Sequence, residues 1–373
     1  METAAAASPF RENVSPYEPL QAEKEKRLTD NLNLLTEHHA QGCPPYARFL
    51  QGSGASPPFV SLEEIPFLPV NVFKRYRLQS VPDSEVVKVF HSSSTSGSEP
   101  ASIAADQATM VFQAESAQSI FSDFIGEGLR PYLIFDIPAS VRGRESMTAR
   151  GAAIMGLMGF ASKFFFVMKE EGGRLVVDMP ALEKALEHVM DEGGGNFIAY
   201  GFTYILYLAH RYLRGRGFAP PRPAAGCRLL HSGGWKKLSS DAVDKETFNE
   251  EVASVWGLPP SAVIDFYGLT EQMGVVYPDC SAGNKHTPYW AEVLIRDPHT
   301  LQALEPGGGV GMIQLLSTLA WGAPNHSVIT DDLGEVIHVD DCPCGRRGRA
   351  FRFRGRAAKA EVRGCGDIYA QGE

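Results

Sequence analysis

Apolar positions along the chain follow two rhythms. Between Pro19 and His39, Leu28, Leu32 and Leu35 recur at helical spacing among charged residues, which predicts an amphipathic helix with one buried stripe. The same rhythm predicts helices over 104–124, 151–159, 182–190, 204–213 and 245–256. Between them lie short, almost unbroken apolar runs at 86–90, 131–137, 163–168, 196–200, 227–231 and 263–267. Runs of that kind predict strands covered on both faces. Strands alternating with helices imply an α/β fold with mainly parallel pairing. After Tyr289 the texture changes. Strand candidates at 290–295, 311–316 and 336–339 are separated by Gly, Pro and Asp turns, which predicts an antiparallel β region. Gly42 to Pro58 reads as a Gly/Pro-rich passage, and Ile65–Val70 is held extended by its prolines. Residues 1–16, rich in Ala and then Ser and Pro, are expected to be disordered.

In open α/β sheets ligands collect beyond the carboxyl ends of the strands. Three polar loops follow predicted strands here, at 91–98, 231–237 and 267–272. The first, His91-Ser92-Ser93-Ser94-Thr95-Ser96-Gly97-Ser98, offers backbone N–H groups and hydroxyls suited to a polyphosphate. It is neither a Walker A loop nor a dinucleotide fingerprint. Alone, it would serve equally as a Ser-rich linker. The convergence of three such loops favours a binding site.

Composition narrows the function classes. The chain has 373 residues, 44% hydrophobic and 21% charged, with a formal net charge of -9. That is an ordinary globular composition, long enough for a large core and more than one subdomain. An acidic balance without a basic block argues against nucleic acid as a main partner. No run of about 18 apolar residues is present, so no membrane insertion is expected. The N-terminus lacks the basic and apolar regions of a signal peptide, and a cytoplasmic location is expected. The 6 cysteines then suit thiols, metal ligands or a nucleophile better than a disulfide framework.

Four motifs in order resemble the adenylate-forming superfamily. Ser92-Ser93-Ser94-Thr95-Ser96-Gly97 is similar to its phosphate loop, and Tyr267-Gly268-Leu269-Thr270-Glu271 to its Tyr-Gly-x-Thr-Glu motif. Thr330-Asp331-Asp332-Leu333 resembles Thr-Gly-Asp-Leu, and Gly355-Arg356 resembles the hinge before the mobile lid. Within the superfamily the chain resembles the acyl-protein synthetases of bacterial bioluminescence, through Ile65–Val70, Phe73-Lys74, Gly201-Phe202-Thr203, Gly233-Gly234-Trp235-Lys236 and Arg363-Gly364-Cys365. That resemblance implies a large adenylation domain of αβα layers with a β-rich subdomain over 17–354. A short C-terminal stub, 355–373, would replace a full lid. The chain departs from the pattern in three ways. Ser94 stands where the loop has its first glycine, no lysine follows near Pro100, and no lid lysine follows Glu373.

The implied reaction joins a carboxylic acid, in this family a fatty acid, to AMP from ATP, and then moves the acyl group to a thiol. By resemblance, Ser93, Thr95 and Gly97 hold the departing phosphates, Glu271 binds Mg²⁺ and Thr270 contacts the α-phosphate. Tyr267 stacks on adenine, with Gly233 and Trp235 nearby. Asp332 takes the ribose hydroxyls, and Arg356 binds at the hinge. Phe202 and Thr203 line the acyl pocket, although both equally suit plain core. Cys365 would carry the acyl group as a thioester. Its glycine neighbours let the tail swing, and Arg363 favours the thiolate. The expected recipient is an acyl-CoA-reductase-type partner or a carrier-protein thiol. Release to coenzyme A or an amine, and a non-catalytic nucleotide-binding subunit, remain as alternatives.

Cys280 and His286, in C-x₅-H spacing, and Cys342 and Cys344, in C-x-C-G, supply the ligand count of a closed structural zinc site. C-x-C is tighter than the usual C-x₂-C, and four unrelated residues would also account for it. A similar arrangement in the phenylacetate-ligase branch favours zinc.

Overall fold

Helix α1 (Gln21–Gly42) turns Leu28, Leu32 and Leu35 inward, as their spacing predicts. This computed structural model describes residues 8–92, 100–141, 149–235 and 242–357. After α1 come α2 (Pro44–Ser53), β1 (Leu68–Pro69) and the short helix α3 (Val72–Arg75). A hairpin of β2 (Lys88–His91) and β3 (Ser102–Ala105) precedes α4 (Gln107–Ile125). The alternating segment runs β4 (Arg130–Ile134), α5 (Ala149–Gly156), β5 (Ala161–Phe166), the hairpin β6 (Met168–Glu171) and β7 (Arg174–Val177), α6 (Met179–Gly193), β8 (Ile198–Phe202), α7 (Thr203–Gly215), β9 (Arg228–Ser232), α8 (Lys245–Trp256) and β10 (Val263–Tyr267). The strands β11 (Tyr277–Pro278), β12 (Lys285–His286), β13 (Ala291–Arg296), β14 (Gly311–Ser317), β15 (Ser327–Val339) and β16 (Arg349–Arg356) follow.

Two large sheets result. The first has the order β11-β10-β9-β8-β4-β5, parallel except for β11 at its edge. Its central strands β4, β8 and β9 are covered on both faces: Tyr132, Leu133, Ile198, Ala199, Leu229 and Leu230 have essentially no exposed surface. That double burial is why they read as unbroken apolar runs. The second sheet, β12-β16-β15-β14-β13, is antiparallel, and β1 adds to β15 in parallel. Asp side chains cap α4, α6 and α8 by accepting hydrogen bonds from Thr109, Ala181 and Thr247 amides, and each cap satisfies an otherwise orphaned donor.

Four expectations need correction. The helix predicted from Ala104 starts at Gln107, because Ser102–Ala105 pairs antiparallel with Lys88–His91. The Ser-rich loop therefore joins two strands of a separate hairpin instead of leaving the parallel sheet. The Gly/Pro-rich passage contains α2, where Pro44 opens the helix and Gly54 closes it in left-handed geometry. Both are permissive positions for those residues. The strand expected at 336–339 is much longer, because 327–335 pair on both sides despite their polar residues. Within residues 8–16, assigned to a disordered tail, Phe10 is held against the core: its ring lies 4.9 Å from Trp290 and also meets Phe112.

A buried ion pair fastens α1 to the second sheet. Lys24 Nζ lies 3.2 Å from Glu292 Oε2 and donates to Thr287 Oγ1 at 2.6 Å, while Gln21 Nε2 donates to the same carboxylate oxygen at 2.7 Å. Both charged side chains have almost no exposed surface. Glu292→Ala leaves the ammonium buried without its counter-charge and is expected to destabilise the fold by about 3–5 kcal/mol. A urea unfolding midpoint lowered accordingly, with unchanged m-value, checks this.

Candidate active site

The candidate site lies where the two sheets meet. Strand β10 ends at Tyr267, and the turn Thr270–Gln272 follows. Gln272 Nε2 donates to the carbonyls of Leu315 and Asn325, both at 3.0 Å, and the Asn325 side-chain amide donates to the Glu271 carbonyl. These bonds fix the turn against the antiparallel sheet and aim Glu271 into a buried corner. From the other side β15 brings Asp332. Its amide donates to Thr330 Oγ1 at 3.1 Å, and that hydroxyl donates to the Ile313 carbonyl at 2.9 Å.

The Tyr267 hydroxyl donates to Asp332 Oδ2 at 2.9 Å, and Arg356 Nε lies 3.3 Å from Asp332 Oδ1. Tyr267, Asp332 and Arg356, taken from three motifs, thus form one cluster with Glu271 beside it. The Tyr267 ring sits among Tyr277, Phe351 and Phe353. Burial lifts the Glu271 carboxyl above its ordinary value. Its own amide, Lys74 and Arg356 draw it back, while Asp332 pushes it up. Burial also raises Asp332, against the Tyr267 hydroxyl and Arg356. Burial and Asp332 hold the Tyr267 phenol well above its usual value, so it remains a donor. Thr270 is half-buried at the start of the turn. Lys74 belongs to this corner as well, and sequence reasoning gave it no role.

A second group surrounds the end of β9. The Thr203 hydroxyl lies 3.0 Å from His231 Nδ1 and donates to the Ser232 and Gly233 carbonyls. Gly233 has φ +76, a left-handed turn that favours glycine, with the Phe202 ring 3.5 Å from where a Cβ would be. Thr203 therefore holds this loop, and Phe202 packs beneath it. The Trp235 ring is turned onto Tyr207, at 5.0 Å, and Phe248, at 6.1 Å. The Phe202–Gly233 group and the Tyr267–Asp332 cluster stand at the ends of neighbouring parallel strands. Ser93, Thr95, Gly97 and Cys365 lie outside the described residues. The neck of the Ser-rich loop is described, and there Ser92 and Ala101 exchange hydrogen bonds: Ser92 N to Ala101 O at 3.1 Å, Ala101 N to Ser92 Oγ at 2.8 Å.

Cys280, His286, Cys342 and Cys344 come together with all ligand atoms within 4.8 Å of one another. Cys280 Sγ lies 3.9 Å from Cys342 Sγ, and Cys344 Sγ lies 3.2 Å from His286 Nε2. A tetrahedron with zinc–sulfur arms of about 2.3 Å has edges near 3.8 Å, so the donor set fits a metal of that size. Gly345, at φ +86, closes the turn by donating to the Cys342 carbonyl at 2.9 Å. Burial pushes the Cys280 thiol up to about 12 and the His286 imidazole down to about 3. The imidazole is therefore neutral, its ligating form, and a cation at Cys280 would take the place of the proton. Cys280 follows β11 of the first sheet and His286 lies in β12 of the second, so the cluster spans the crossing between sheets.

Comparison with known proteins bears on the family and the fold. The family described as acyl-protein synthetase, LuxE, matches residues 6–372. The chain is similar to a long-chain-fatty-acid–luciferin-component ligase of Vibrio harveyi, 23% identical over 351 residues, covering 92% of this chain and 87% of that one. A second protein of the same description, from Aliivibrio fischeri, is 20% identical over 322 residues, covering 85% and 81%. In fold it is similar to a 2-hydroxyisobutyryl-CoA ligase crystallised in an open conformation with 2-HIB-AMP and CoA. The TM-score is 0.67 at 15% identity, covering 93% of this chain and 74% of that one. The postadenylation state of that ligase gives 0.66 at 17% identity, covering 93% and 72%. An α/β fold of the adenylate-forming kind and a family match over nearly the whole length lead to one conclusion: the chain belongs to the acyl-protein synthetase family, LuxE.

Proposed function

We propose that the protein activates a long-chain fatty acid with ATP and then carries the acyl group on Cys365 for delivery to a partner protein. The partner would be an acyl-CoA-reductase-type enzyme or a carrier-protein thiol. The observation that carries this reading is the meeting of buried Asp332 with Tyr267 and Arg356, beside buried Glu271, at the junction of the two sheets. In the first half-reaction a carboxylate oxygen bonds to the α-phosphorus and pyrophosphate leaves with the electron pair. Two anions must meet, so donors and cations are needed where charge gathers. Glu271 would hold Mg²⁺, which usually takes one or two carboxylates; bound there, the ion supplies charge neutralisation to the phosphates and removes the cost of a buried carboxylate. Asp332 would accept the ribose hydroxyls, Arg356 would close over them, and the Tyr267 ring would lie along the adenine. Ser93, Thr95, Gly97 and Thr270 would donate to the phosphates. Gly233 would border the adenine over a loop held by Thr203, with Phe202 at the acyl side and Trp235 anchoring the loop from behind. In the second half-reaction the Cys365 thiolate adds to the acyl carbonyl and AMP departs with the electron pair of the C–O bond. The Cys280–His286–Cys342–Cys344 cluster would hold a structural zinc. Residues 17–354 would form the adenylation domain and 355–373 the mobile segment.

Three measurements test this. Glu271→Gln is expected to lower acid-dependent ATP–pyrophosphate exchange by about a hundredfold or more. In the parent protein the acid limb of kcat/KM for that exchange, which reports the free enzyme, is expected above the ordinary carboxylate range, because burial raises both Glu271 and Asp332 before Mg²⁺ and ATP bind. Cys365→Ser is expected to keep exchange but take up no covalent label from radioactive fatty acid plus ATP, and unchanged labelling would remove Cys365 from the pathway. Elemental analysis of protein purified without a histidine tag is expected to find about one zinc per chain, and Cys344→Ser to lose it.

A further inference from the structure

The corner that holds Glu271 and Asp332 is closed on its third side by α3. Strand β1 pairs with Val328 and Ile329 of β15, and Val70 N donates to the Ile329 carbonyl at 3.0 Å. From Asp332 onward the same edge of β15 is taken by β16, with Asp332 opposite Arg356 and Ala357 N donating to the Asp331 carbonyl at 2.9 Å. The chain after β1 cannot continue along that edge, so it turns into α3 beside the end of β16. Asn71 Nδ2 reaches Asp331 Oδ2 at 3.4 Å, and Phe73 is 1% exposed, anchoring the turn in the core. Lys74, the next residue, is half-buried there.

We infer that Lys74 is a catalytic residue of the adenylation step: its ammonium holds the acyl carboxylate and the α-phosphate together as the bond between them forms. This rests on the function proposed above. Arg356 is paired with Asp332, and 77% of its side chain is exposed. Among the described residues no carboxylate forms an ion pair with Lys74, so its charge is available to a substrate. After burial and its own amide, Lys74 is the largest influence on the Glu271 carboxyl and its foremost counter-charge. With α3 held beside Asp331 and Phe73 anchored in the core, this puts a cation in the neighbourhood of the carboxylate that would hold Mg²⁺. The step itself needs such a group. A carboxylate oxygen bonds to the α-phosphorus, the bond from that phosphorus to the bridging oxygen breaks, and pyrophosphate takes the electron pair. No proton moves, so what the step needs is a fixed positive charge. The sequence has no lysine after the Ser-rich loop near Pro100, and Lys74 supplies a charge to the same reaction from a different element.

The two half-reactions separate the outcomes. With palmitate as the acid, Lys74→Ala is expected to lower the maximal rate of ATP–pyrophosphate exchange by about a hundredfold, with the ATP KM within about threefold. Lys74→Arg is expected to recover about tenfold of that loss, since it restores charge but not shape. Consumption of synthetic palmitoyl-AMP by Lys74→Ala is expected to stay within about threefold of the parent, which shows a folded site. Arg75→Ala, exposed on the same turn, is expected to behave as the parent. Exchange by Lys74→Ala within about threefold of the parent overturns the assignment, as does an equal loss in both half-reactions. A parent protein that exchanges with no acid of a fatty-acid panel overturns the function itself, and this assignment with it.

Discussion

Strand β15 carries two partners on one edge, and the handover between them is the constraint on which the site depends. Val328 and Ile329 take β1, and residues from Asp332 onward take β16. At the junction Thr330, Asp331 and Asp332 have backbone groups that neither partner alone satisfies. Thr330 Oγ1 accepts the Asp332 amide, and the Asp331 carbonyl accepts from Ala357. Buried backbone groups must find partners, and meeting that requirement here turns the Asp332 carboxylate toward Tyr267 and Arg356. The β10 turn, α3 and the end of β16 then reach one corner from three directions.

Charge pairing separates scaffold from site. Lys285 lies 2.8 Å from Asp265 and 3.2 Å from Asp279, all under the parallel sheet's edge. Lys24 and Glu292 pair at 3.2 Å with further donors around them. In both groups the carboxylates gain more from their cations than burial costs them, so Asp265 and Glu292 lie below their ordinary values, although burial still lowers the Lys24 ammonium. Glu271 and Asp332 go the other way, held above theirs because burial outweighs the cations nearby. A carboxylate kept buried without full compensation is costly to maintain and is a common mark of a functional site. On this criterion the corner at Glu271 is the candidate working site, and the two paired networks belong to the scaffold.

Legibility in the sequence followed the range of the interactions. Helix α8 and strand β10 have the boundaries their patterns predict, because Asp244 caps the helix, Gly257 ends it in left-handed geometry, and Val263 to Tyr267 is a clean apolar run. The motif residues Tyr267, Asp332 and Arg356 do meet, as their resemblance implies. The length of β15 was hidden, since Thr330-Asp331-Asp332 reads as a turn until two partner strands are known. Strand β3 was hidden too, because Ile103-Ala104-Ala105 suits a helix as well as a strand, and pairing with β2 decides it. Lys74 is the clearest case. Phe73-Lys74 is among the stretches that carry the family resemblance, but nothing local gives the lysine a role, and its position follows from pairing between residues 68–69 and 328–329.

The cysteine–histidine cluster and the candidate site are joined by one strand. Cys342 and Cys344 lie in the turn between β15 and β16, and Arg356 ends β16. That strand spans Arg349–Arg356, about 26 Å at about 3.3 Å per residue. Its register on β15 shifts between Leu333 and Gly334 and again between Val336 and His338. A slip of one residue would send Arg356 to the opposite face of the sheet. A metal bound by both cysteines of the turn and by His286 on the neighbouring strand would fix where β16 begins. The ion would then act on the chemistry without touching it, by setting the register that places Arg356 against Asp332.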